Sequence, residues 1–137
     1  MHRLTFLLAL LFLIVSFSQP GFTEEDPHGF KPGDSPFGFK AGEGPLPLSA
    51  GSDKELIKHN KAGTGLYLKQ MYENALNHFQ TARSIKPSSG VILYNEAVTL
   101  DKLDRHREAT LRFQQAKDHA NGNVLILNSP ILEAHLK

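Results

Sequence analysis

The chain has 137 residues, room for one small domain with extensions rather than two full domains. It contains no cysteine, which excludes disulfides, thiolate metal centres, thioether haem attachment and cysteine nucleophiles. Lys plus Arg number 15 against 14 Asp plus Glu, a balance that argues against nucleic-acid binding driven by net charge.

Residues 1–18 read as a signal peptide. His2 and Arg3 give a short basic start, and Leu4 to Phe17 is apolar apart from Thr5 and Ser16. That stretch is shorter than the roughly 20 residues a membrane span needs. Ser16 and Ser18 supply the small-residue pair for cleavage before Gln19. The competing reading is an uncleaved membrane anchor. The expected location is therefore periplasmic or secreted. The lack of disulfides tilts it toward a bacterial envelope compartment.

Residues 19–51 are expected to be a disordered segment. Six Gly and six Pro fall between positions 20 and 50, a density no helix or strand period survives. A short echo runs through it, Gly29-Phe30-Lys31-Pro32-Gly33-Asp34-Ser35-Pro36 and then Gly38-Phe39-Lys40-Ala41-Gly42-Glu43-Gly44-Pro45. One reading is a solvated spacer. The other is a linear motif whose Phe side chains dock in a groove, on a partner or on this chain.

From Ser52 the pattern becomes helical, and 52–137 reads as one all-α domain. Ser52-x-x-Glu55 predicts a capping box opening a helix with Leu56, His59, Gly63 and Leu66 on one side. A second helix carries Tyr72, Ala75, Leu76, Phe79, Ala82 and Ile85 on one face and stops at Pro87. The arrangement then repeats. Ser88 or Ser89 caps a helix with Leu93, Ala97 and Leu100, and a further helix carries His106, Ala109, Phe113 and Ala116. Ala75 pairs with Ala109, Phe79 with Phe113 and Ala82 with Ala116, each at an offset of 34. Repeat one covers about 56–89 and repeat two about 90–123. In 124–137, Asn128-Ser129-Pro130 separates an apolar run from a short closing helix, which reads as a cap.

The spacing Tyr72-x2-Ala75-x3-Phe79-x2-Ala82-x4-Pro87 resembles the second-helix signature of the tetratricopeptide repeat, a helix–turn–helix unit of 34 residues. The second copy keeps Ala109, Phe113 and Ala116, with His106 and Asn121 in place of Tyr72 and Pro87. The glycine the family favours at the hairpin turn is replaced by Gln70 and Asp104. The resemblance implies a short α-solenoid, and a concave peptide-binding face lined by the first helix of each hairpin. Those positions are Ile57, Asn60, Thr64, Tyr67 and Leu68 in the first copy. In the second they are Val91, Tyr94, Asn95, Val98 and Lys102. The lining suits an apolar peptide or a partner's helix. Of the positions that grip a peptide carboxylate in part of the family, here Asn60, Thr64 and Asn95, only Asn95 matches, so no carboxylate clamp is expected. Tyr67 and Tyr94 also fit a plain packing role at helix crossings.

No two histidines are four apart and none pairs with a carboxylate in a zinc-binding spacing, so no metal ligands are expected. His59 and His106 read as core-edge residues and His78 as solvent-facing. There is no nucleophile elbow, phosphate loop or nicotinamide fingerprint, so neither an enzyme nor a cofactor is expected. Residues 19–50 carry five acids and two bases, and 52–137 twelve bases and nine acids. The expected function is a non-catalytic, exported protein-interaction module. Its partner would be another protein or peptide. The alternative is a structural subunit that self-associates through an exposed solenoid end, as in a homodimer. The charge opposition further predicts that Phe30, Phe37 or Phe39 visits the groove of Tyr67, Val91, Tyr94 and Val98.

Overall fold

The computed structural model describes residues 42–137. The signal peptide, the cleavage point and the phenylalanines of the Gly-Phe-Lys echo lie outside the described residues. Those described form six α-helices and no strand, so this part of the chain is all-α. The helices are α1 (Lys54–Leu68), α2 (Tyr72–Ile85), α3 (Gly90–Lys102), α4 (His106–Asp118), α5 (Val124–Leu127) and α6 (Pro130–His135). Helix α1 packs on α2, α2 on α3, α3 on α4, and α6 closes over α4. None of the described helices is long and apolar enough to cross a membrane.

Local chemistry sets the helix ends. The cap of α1 is Asp53, one residue later than the Ser52 capping box predicts; its carboxylate accepts from the Glu55 and Leu56 amides. Ser89 caps α3, and Ser129 caps α6 with Pro130 in its first turn. The two hairpin turns are built alike. Gln70 (φ 60°) and Asp104 (φ 57°) take the left-handed conformation. Met71 N then donates to Leu66 O, and Arg105 N to Leu100 O, each at 3.0 Å. These are the 6→1 bonds that satisfy the last carbonyls of a helix.

The predicted small–Phe–small faces form the core. Ala75, Phe79, Ala82, Ala109, Phe113 and Ala116 are all fully buried. Helix α1 crosses the Phe79 ring at Gly63, where a Cβ would come within 2.7 Å of Phe79 Cε1. Ala75→Leu is expected to destabilise by about 1–3 kcal/mol through overpacking, while the same change at exposed Asn74 is nearly neutral. Equal midpoints in urea for the two variants would contradict a close helix crossing at Ala75.

Sequence spacing gives no hint of Glu96, a carboxylate buried on α3. Arg83 of α2 donates to it at 2.7 Å and Arg112 of α4 at 3.0 Å. The histidines also differ from expectation. His106 is exposed rather than at the core edge. His78 is half-buried, with its Nδ1 3.1 Å from that of His59.

Candidate functional site: a groove filled by the chain itself

The concave-face residues divide by depth. Asn60, Thr64, Tyr67, Tyr94, Asn95 and Val98 are buried, Ile57 and Val91 are half-buried, and Leu68 and Lys102 are exposed. Residues 42–48, Gly-Glu-Gly-Pro-Leu-Pro-Leu, ahead of α1, lie against this face and bond to Asn60, Tyr94 and Asn95. Sequence reading assigns this stretch to the disordered segment. The structure instead packs Gly42, Gly44, Pro45 and Leu46 away from solvent. Glycine and proline density rules out helix and strand, but not an extended strap held by other parts of the chain.

The strap is held by its main chain. Asn95 Oδ1 accepts from Leu46 N at 2.6 Å, and Asn95 Nδ2 donates to Leu46 O at 2.8 Å. Asn60 Nδ2 donates to the same carbonyl at 3.1 Å, and Asn95 Nδ2 also donates to Asn60 Oδ1 at 2.7 Å. The two amides thus clasp both polar groups of one residue, which would otherwise be buried without partners. Leu46 joins the main core, and Leu48 packs on the cluster of Leu56, Ala82 and Ile92. Pro47 between them is exposed. That alternation is the two-residue period of an extended chain.

A second anchor holds Gly42. Its carbonyl accepts from Tyr94 Oη at 2.6 Å and from Ser129 Oγ at 2.9 Å. Burial pushes the Tyr94 phenol up to about 12, so it stays a donor at neutral pH. Burial raises the Tyr67 phenol as well, with Tyr72 adding to the effect. Gly42 has φ +81°, and a Cβ on it would lie 2.9 Å from Ser129 Cα. Both conformation and space therefore require glycine there. Beyond Glu43 the groove opens into a depression between Tyr67, Tyr72, Lys102 and Ile131.

Ser129 and the strap are the site residues that sequence reasoning misses. The cap motif Asn128-Ser129-Pro130 marks Ser129 as a helix start, and its hydroxyl serves both Leu132 N and Gly42 O. A separate cluster, Asp101 with His106 and His135, also escapes the spacing test. Comparison with protein-family models, curated proteins and solved structures finds no match to this chain.

Proposed function

We propose that this chain is a non-catalytic, exported interaction module of the tetratricopeptide-repeat kind whose groove takes an extended peptide. The carrying observation is the Asn60–Asn95 clasp on the Leu46 main chain. A peptide in a helix has its own N–H and C=O groups engaged and could not offer that pair. The geometry thus favours an extended peptide over a partner's helix. The ligand chemistry follows the strap: two apolar residues two apart, flanked by proline, with glycine at the far anchor. The strap is then an internal occupant that a partner of like chemistry displaces. Helix α6 packs on α4 at the C-terminal end, which favours this reading over self-association through a bare solenoid end.

The test is amide NMR on the full chain titrated with a peptide of residues 42–49. The tethered strap competes at an effective concentration on the order of millimolar, so millimolar peptide is needed. The Leu46 amide should then move from its clasped position toward that of a free chain. A peptide methylated on the nitrogen of its Leu46 should compete at least about tenfold less well, because it lacks the donor that Asn95 accepts. Equal competition by the two peptides, or none by either, would contradict the reading.

A further inference from the structure

We propose that Asp101, His106 and His135 form a binding site for a divalent transition-metal ion of the zinc type. They come from the last turn of α3, the start of α4 and the end of α6. One donor atom from each lies within 4.8 Å of the others. Two imidazole nitrogens and one carboxylate oxygen suit zinc and its neighbours, and leave a coordination position open.

The geometry is close to that of a filled site. His106 Nδ1 lies 3.0 Å, and His135 Nε2 2.8 Å, from the same oxygen, Asp101 Oδ1. Around a tetrahedral ion with bonds near 2.0–2.2 Å, donor atoms sit about 3.3 Å apart. The two histidine–aspartate separations need to widen by only a few tenths of an ångström, and the two imidazole nitrogens lie within 4.8 Å of each other. His106 is 61% exposed and on the surface, where it can swing outward and where an ion can enter.

The outer contacts point the same way. His135 Nδ1 lies 3.0 Å from Thr110 Oγ1, whose own proton is directed to His106 O at 2.9 Å. With that proton engaged, the hydroxyl can only accept, so His135 carries its hydrogen on Nδ1. Nε2, on the opposite side of the ring, faces Asp101 Oδ1 at 2.8 Å, the side from which it would ligate an ion. A ligating histidine ordinarily hands its other N–H to an oxygen in this way. His106 has a looser counterpart, with Nε2 3.8 Å from Asp104 Oδ1. The Phe113 ring lies against His135, with ring centroids 4.9 Å apart.

An ion here would pin α6 to the second hairpin. Because Ser129, the cap of α6, holds Gly42, the metal would also steady one anchor of the strap. The site itself does not depend on the groove's proposed function. The test is calorimetric titration of the tag-free full chain with zinc, and with cobalt followed by absorption. The expected result is one site per chain, with cobalt bands of a four- or five-coordinate nitrogen–oxygen set. Zinc at about a hundred times Kd should raise the melting temperature by around 10 °C. D101N, H106Q and H135Q should each weaken binding at least tenfold, and T110V by about tenfold through the lost outer contact. H106Q alters an exposed side chain and so separates loss of metal from loss of fold. The His59–His78 contact offers only two ligands, so H59Q should bind as the parent does. Absence of zinc binding at 100-micromolar protein, or binding lost in H59Q and kept in D101N, would overturn the assignment.

Discussion

Glu96→Ala should be among the most damaging single substitutions in the domain, lowering stability by about 2–4 kcal/mol. The carboxylate is 1% exposed and uses both oxygens, Oε2 toward Arg83 and Oε1 toward Arg112. Removing it leaves two guanidinium groups facing a vacated, largely dry space between α2, α3 and α4. Breaking a fully buried pair costs about 3–5 kcal/mol; here Arg83 and Arg112 are 34% and 21% exposed, so water recovers part of the loss. For a domain of this size, that corresponds to a fall in melting temperature of roughly 10–20 °C. Glu96→Leu with both arginines changed to Met should be less harmful than Glu96→Ala alone, because no charge is then stranded. Urea unfolding measures both. A loss below about 0.5 kcal/mol for Glu96→Ala would mean that the carboxylate does not tie the two hairpins together.

The helical hairpins are legible because their core face is written in local spacing. Ala75, Phe79 and Ala82 recur 34 residues later, and each member lands at zero exposure. The left-handed residues Gln70 and Asp104 are legible only as positions where glycine is missing. Glu96 is not legible, since its partners lie 13 residues before and 16 after it, and a glutamate in a helix otherwise reads as surface. The histidine cluster fails for the same reason: His135 lies 34 residues beyond Asp101, and only the closure of α6 over α4 joins them. The strap is the instructive case. Every local cue in residues 42–48 argues against regular structure, and the structure contains none there. Its order comes from Asn95 and Ser129, 49 and 87 residues away from the groups they hold. Absence of a period is information about secondary structure and carries none about burial.

Asn95→Asp should free the strap while leaving the helices in place. Aspartate has the same shape, so packing within α3 is kept, and its oxygen can still accept from Leu46 N. It cannot donate, so an acceptor now faces both Leu46 O and Asn60 Oδ1, where Asn95 Nδ2 donates at 2.8 and 2.7 Å. Losing a buried hydrogen bond and orphaning its partner costs about 1–3 kcal/mol; Asn60 Oδ1 is left without its donor, while Leu46 O keeps Asn60 Nδ2 at 3.1 Å but now faces a carboxylate oxygen. The strap's hold is finite, because the entropy of ordering its residues opposes what the burial of Leu46 and the clasp supply. Detachment is therefore the cheaper response, and the global loss of stability is capped at the strap's own net contribution. Hydrogen exchange should show the Leu46 amide losing most of its protection, with α2 and α4 amides little changed. Limited proteolysis should cut between Glu43 and Ser49 in the variant and spare that stretch in the parent. Leu46 protection equal to the parent's would mean that apolar packing, and not the asparagine clasp, holds the strap in the groove.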